Sequence, residues 1–74
     1  MPTTSQIQAE MVASVLSVSV TSGEAVAVGD TVVLLESMKM EIPVLSEVSG
    51  TVLEVRVQSG DLVQEGDVLV VLSH

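Results

Sequence analysis

Lys39 is the one lysine in this chain, and it stands within Glu36-Ser37-Met38-Lys39-Met40, followed by Glu41. A primary amine offers two kinds of chemistry: it can be modified, as by acylation, or it can form Schiff bases as a catalyst. The catalytic route needs an amine held neutral by desolvation or by cationic neighbours. Glu36 and Glu41 lie close in sequence, and carboxylates favour the charged ammonium instead. The spacing therefore points to a lysine that is acted upon. Nothing else in the chain assembles into a catalytic constellation. His74 is the single histidine and is terminal, and cysteine is absent, so a His-based triad, thiolate chemistry and a histidine or thiolate metal cluster are all unsupported. Ser17 and Ser19 have no base near them in sequence, and the Gly-Asp pairs do not follow the spacing of a calcium loop. The chain is expected to have no catalytic activity of its own.

The elements that position Lys39 read as strands. Thr31–Leu35 and Ile42–Leu45 are apolar and β-branched, with neither Gly nor Asn between them. Tight hairpins normally take Gly, Asn or Asp, because their central residues need positive φ. A turn of Met and Lys breaks that rule, and such breaches gather at functional sites. Pro43 cannot donate a ladder hydrogen bond, so its strand is expected at an edge or bulged there.

A shift of 37 residues aligns Ser14–Leu35 with Thr51–Leu72 and gives 11 identities in 22 positions, including Ser22/Ser59, Gly23/Gly60, Gly29/Gly66 and Asp30/Asp67. Each copy carries an alternating strand. Leu16, Val18 and Val20 are expected inward with Ser17, Ser19 and Thr21 outward. In the second copy Leu53, Val55 and Val57 are expected inward, with Glu54, Arg56 and Gln58 outward. The Ser-Gly and Gly-Asp dipeptides mark turns. Neither copy can bury a face alone, so the two are expected to pack as an all-β, pseudo-twofold sandwich or flattened barrel. The repeat places the counterpart of Lys39 at residue 2, or two positions beyond His74. The chain ends thus occupy the second hairpin tip, at the opposite end of the barrel from Lys39.

The 74 residues bound a single domain with no room for a catalytic one, and the 17 valines with no Phe, Tyr or Trp require an aliphatic, β-rich core. Residues Met1 to Gln8 show neither a basic start nor an apolar segment, and the longest apolar run, Val68 to Leu72, is far too short to span a bilayer. A soluble, cytoplasmic protein is expected, with no membrane association. A formal charge of −8 opposes binding to nucleic acid or anionic lipid and chiefly maintains solubility.

Met-Lys-Met at a hairpin tip resembles the attachment motif of biotinyl domains, the biotin carboxyl carrier family, whose usual form is Ala-Met-Lys-Met; here Ser37 stands for the alanine. Lipoyl domains usually present Asp-Lys-Ala or Asp-Lys-Val, so Met38 and Met40 favour biotin over lipoate. The likeness runs from about Val12 to Leu72. It implies two four-stranded antiparallel sheets, a biotinyl domain over residues 9–74 and a flexible N-terminal segment over residues 1–8. It also implies biotin covalently attached to Lys39 by a biotin protein ligase that supplies an activated biotinyl-adenylate. Acylation removes the Lys39 charge and takes the formal count to −9. The carrier would take a carboxyl group at a biotin carboxylase and deliver it at a carboxyltransferase. Met38 and Met40 would form a recognition collar, with Ser37, Glu36 and Glu41 contributing to contact with the ligase and the carboxylase. The free chain is expected to be a monomer. It departs from the family at Ser46-Glu47, where many members carry Ala-Pro, and it has neither the protruding thumb of some carriers nor an Ala/Pro-rich N-terminal linker, absences that select no particular parent carboxylase; a free-standing domain is expected. The alternatives are a lipoyl-type carrier on the same fold and an unmodified barrel that binds other proteins.

Overall fold

The computed structural model describes residues 3–74, which form eight strands and no helix. The strands are β1 (Thr4–Gln8), β2 (Ala13–Val18), β3 (Ala25–Val26), β4 (Thr31–Ser37), β5 (Met40–Leu45), β6 (Gly50–Val55), β7 (Leu62–Val63) and β8 (Val68–Ser73). They make two four-stranded antiparallel sheets ordered β1-β8-β6-β3 and β5-β4-β2-β7. This is the two-sheet sandwich expected from the repeat. Pro43 lies on β5, an edge strand, where its missing N–H faces no ladder partner.

The repeat is a structural twofold, and its 37-residue period reaches further than the aligned segment. Glu41 pairs with Glu36, Ile42 with Leu35, Val44 with Val33 and Leu45 with Thr31. Subtracting or adding 37 gives the pairs made by β1 and β8: Thr4 with Ser73, Ser5 with Leu72, Ile7 with Val70 and Gln8 with Val68. The β4–β5 hairpin therefore has a twin, β8–β1, in which the chain ends replace the turn. Where Ser37 pairs with Met40, Thr3 and His74 exchange backbone hydrogen bonds of 3.2 and 2.8 Å. The counterpart of Lys39 is Pro2, which lies outside the described residues.

The expected flexible segment over residues 1–8 is corrected here for Thr4–Gln8, which forms β1 and pairs along its whole length with β8. Its sequence, Thr-Ser-Gln-Ile-Gln, is too polar to advertise a buried strand. Backbone pairing at a sheet edge, with Ile7 packed on the core, holds it.

Each half is tied to the other by the residues the two copies share. Ser22 Oγ donates to Leu53 O at 3.0 Å and Ser59 Oγ to Leu16 O at 2.8 Å, which explains why both Ser-Gly turns keep the serine. At the Gly-Asp turns the carboxylate accepts the amide three residues back: Ala27 N to Asp30 Oδ2 at 2.9 Å and Gln64 N to Asp67 Oδ2 at 2.9 Å. The core is wholly aliphatic, with Val32, Val33, Leu69, Val70 and Leu72 at zero exposure. Consecutive buried residues such as Val32-Val33 cannot occur in a regular strand, where side chains alternate. The register slips between Thr31 and Val33, and β8 skips Leu69 at the equivalent step.

A second pair of bulges corrects the expected alternation. The register shifts between Val15 and Ser17 and between Val52 and Glu54, so Leu16 and Leu53 are the extra residues. Val15 and Val52 take the buried places, Leu16 is only half-buried, and Leu53, expected inward, is exposed. Beyond the bulge the alternation holds, with Val18, Val55 and Val57 packed against the core and Ser17, Ser19, Glu54 and Arg56 exposed.

Candidate functional site: the Lys39 hairpin

β4 and β5 meet in a two-residue turn in which Met38 has φ 53° and Lys39 has φ 66°. Two successive positive φ values are the signature of the type I′ hairpin turn, which matches the twist of the flanking strands. Among the described residues these are the only non-glycine positions with positive φ. The strain inferred from the missing Gly and Asn is thus present at both turn residues. The Ser37–Met40 pair closes the turn.

β2 pairs with β4 no closer to the tip than Ser14–Glu36, so Ser37 to Met40 overhang the sheet. Lys39 and its flanks are exposed: Met38 is 91% exposed and Met40 66%, and Lys39 makes no ion pair with any described residue. The ion pair found among them joins Arg56 Nε to Glu54 Oε1 at 2.8 Å, away from the hairpin. Glu36 and Glu41 face each other directly across β4 and β5 on the outer side of the sheet, both exposed. Like charges in that position oppose pairing, so this part of the hairpin is not chosen for stability either. The structure brings together all six residues singled out from the sequence, with Ser37 half-buried in the closing pair. A concavity of about 1110 Å³ follows the open seam between the edge strands β1 and β5, and Lys39 does not line it. An exposed, unpaired amine on an overhanging turn is suited to enter another protein's active site.

The family model described as "biotin-requiring enzyme", the biotin/lipoyl family, matches residues 1–72. The chain belongs to this family. Within the biotin/lipoyl family it is similar to the biotinylated protein TB7.3 homolog of Mycobacterium leprae, at 60% identity over 43 residues, covering 58% of this chain and 61% of that one. It is 65% identical over 40 residues to biotinylated protein TB7.3 of Mycobacterium tuberculosis H37Rv, covering 54% of this chain and 56% of that one. The chain thus spans about 60% of the length of the curated relatives it matches. Among solved structures, 96% of the chain superposes on 7% of a single-chain, multi-domain long-chain acyl-CoA carboxylase, with a TM-score of 0.90 and 27% identity. A further 28% identical match, TM-score 0.88, covers 95% of this chain and 6% of the Kluyveromyces lactis urea carboxylase.

The sequence reading missed Val12 and Leu62, two exposed apolar residues beside the hairpin, 61% and 71% exposed. Leu62 pairs with Ser14, which pairs with Glu36, so Leu62, Ser14, Glu36 and Glu41 form one row across the outer face. The signal lay in the repeat, at the positions where its two copies differ.

Proposed function

We propose that the chain is a biotin carboxyl carrier in which biotin is joined through an amide to Lys39 Nζ. The observation that carries this reading is a sole lysine displayed on a strained, overhanging turn between two exposed methionines, in a chain of a biotin-requiring family. The residues fit the group. The amine is exposed and unpaired, and its nearest neighbours, Met38 and Met40, supply adaptable apolar surface for a partner to grip. In the attachment step the Lys39 Nζ lone pair attacks the acyl carbon of the activated carboxyl group. A C–N bond forms, the bond to the adenylate phosphate breaks, and AMP leaves while the amine loses a proton. Bound biotin supplies the ureido nitrogen that takes up and gives back a carboxyl group.

The remaining work belongs to this chain's own residues. The type I′ turn keeps the Lys39 backbone in one conformation, so the tether's freedom is confined to its side chain and the acyl arm. Confinement of that kind holds a carried group at an effective concentration on the order of millimolar for its partners. Those partners are a biotin protein ligase, a biotin carboxylase and a carboxyltransferase, and the similarity to two carboxylases supports the last two.

The test is the intact mass of the purified chain before and after incubation with biotin, ATP and a biotin ligase. One biotinoyl increment mapping to Lys39 is expected, absent in Lys39→Arg. Modification by a lipoate ligase instead would move the chain to the lipoyl half of its family. No increment on folded protein from either enzyme would leave a protein-binding barrel.

A further inference from the structure

Large aliphatic side chains on a surface lower solubility and add nothing to a core, so their place is informative. Two of them, Val12 and Leu62, stand beside Lys39, 61% and 71% exposed. The twofold gives each an equivalent position at the opposite pole, and there the chain carries Ser49 and Ala25. The backbone pairing is the same at both poles, Leu62 with Ser14 and Ala25 with Thr51. These strands therefore pair with small residues as well as with large ones, and the large ones are not needed for it. Val28, Leu45 and Leu53, also exposed, lie away from Lys39.

Val12 and Leu62 are neighbours on one face. Ala13 is buried, so Val12 and Ser14 on either side of it look outward. Leu62 pairs with Ser14, which puts Val12 on the diagonal from Leu62, roughly 7–8 Å away. Ser14 also pairs with Glu36, so Leu62 lies two strand spacings from Glu36, or roughly 10 Å. Val12, two residues nearer the turn than Ser14, is level with the overhang that carries Lys39. A lysyl stem in series with a valeryl arm outreaches these separations. The carried group also has matching chemistry. Biotin presents an uncharged, apolar thioether ring and alkyl chain, together with a ureido group that donates N–H. Val12 and Leu62 offer apolar surface, while the Ser14 hydroxyl and the Glu36 carboxylate, in the row that leads from the hairpin to Leu62, offer acceptors.

We propose that Val12 and Leu62 form a resting face for the biotinyl group carried on Lys39, which folds back onto its own domain between visits to partner enzymes. The inference rests on the carrier reading and deepens it. Size decides the occupant. Two side chains are far smaller than a stable protein interface, which buries about 800 Å² a side, and they suit a group of biotin's dimensions. The tether makes so small a contact count, because it holds the ring near the face at an effective concentration on the order of millimolar. A contact with a dissociation constant of that order is occupied about half of the time. The ring is thus partly withdrawn from water and still released at once. An enzyme site that binds it more tightly takes it from the face by shifting that population.

The test compares the methyl signals of the chain in carbon–proton NMR before and after biotinylation by a biotin ligase. The signals of Val12 and Leu62 are expected to shift, with nuclear Overhauser contacts to the biotin ring, while those of Val28, Leu45 and Leu53 stay in place. Rapid-mixing capture by streptavidin then reads how often the ring is free. Val12→Ser/Leu62→Ala gives the Lys39 pole the residues that the other pole already folds with, and its biotinylated form should be captured about twofold faster than the native one. Ser49→Val/Ala25→Leu adds the same apolar surface at the opposite pole of a body 39 Å long, and should be captured at the native rate. Thermal unfolding checks that each variant is folded. Equal capture of the native chain and Val12→Ser/Leu62→Ala overturns the resting face, as do methyl signals of Val12 and Leu62 that biotinylation does not move. Shifts that appear only when a ligase or carboxylase is present assign the face to that protein and likewise overturn it. A native chain that the ligase leaves unmodified, seen in its intact mass, removes the carrier reading and the resting face together.

Discussion

Replacing Met38-Lys39 by Asn-Gly should make this protein more stable while destroying its proposed acceptor. Both turn residues hold positive φ, 53° and 66°, and neither is glycine. A side chain in that region costs roughly 1–2 kcal/mol against the same residue in a relaxed conformation. Asn tolerates the left-handed region and Gly occupies it freely, and Asn-Gly is the preferred pair for a type I′ turn. Two relieved residues contribute about 2–4 kcal/mol. Against this, glycine adds conformational freedom to the unfolded chain, worth about 0.4–1 kcal/mol. Little packing is lost, because Met38 is 91% exposed and Lys39 is exposed as well. The net gain should be about 1–3 kcal/mol. A domain of this size converts each kcal/mol to about 4–8 °C of Tm. Thermal unfolding followed by far-ultraviolet circular dichroism, with urea denaturation as a second probe, measures it. The single change Met38→Asn keeps the lysine and should gain about 1 kcal/mol, with slower biotinylation. A double variant no more stable than the native chain would refute the claim that this turn stores strain for the sake of its lysine.

Other substitutions probe the scaffold. Gly50→Ala should destabilise by about 1–3 kcal/mol, because a Cβ there would come 2.3 Å from the Ser73 carbonyl oxygen, a backbone atom locked in the β6–β8 ladder; a Tm unchanged within error would contradict that close approach. Gly29→Ala meets no atom within 4 Å but must adopt φ +92°, so its cost should be set by conformation alone, about 1–2 kcal/mol. Ser46 is buried and its hydroxyl donates to Val48 O at 2.6 Å, yet the equivalent position holds Ala9; Ser46→Ala should therefore cost about 1 kcal/mol or less in urea denaturation. Leu35→Ala and Leu72→Ala empty equivalent, fully packed places, and each should cost about 2–5 kcal/mol, with the two values close to one another.

Much of the fold was legible because duplication doubles the evidence in a short chain. The shared serines and glycines announced the turns, and the aligned apolar runs became β4 and β8. Two kinds of detail escaped. The bulges at Leu16 and Leu53 shift the phase of burial by one residue, and nothing in an alternating pattern marks where a strand slips. β1 was hidden because a strand held largely by backbone pairing needs little apolar sequence, and Thr4–Gln8 offers Ile7 alone. The lysine hairpin was legible for the opposite reason: Met and Lys sit where turn chemistry demands Gly or Asn, and local energetics cannot explain them.

The twofold also explains why one end of the molecule is available for function. β2 begins beside Glu36 near the turn, and the chain reaches β3, paired with Gly50 and Thr51 next to Ser73, at the far end. The Lys39 turn and the chain ends therefore lie at opposite poles of a body 39 Å long and 18 Å across. A duplicated strand-turn-strand unit yields two equivalent hairpins, β4–β5 and β8–β1, and only one of them can be closed by a turn if the chain is to have ends at the other. Whatever joins the chain ends is thereby kept about one molecular length from the acceptor lysine. The shared residues, Val15 with Val52, Gly29 with Gly66 and Leu35 with Leu72, build a body that either pole could carry. The unshared ones, Val12, Leu62, Glu36 and Glu41, distinguish the Lys39 pole from the other. In this protein the repeat separates two sets of residues: those common to both halves build the body, and those that differ include the outer-face residues beside Lys39.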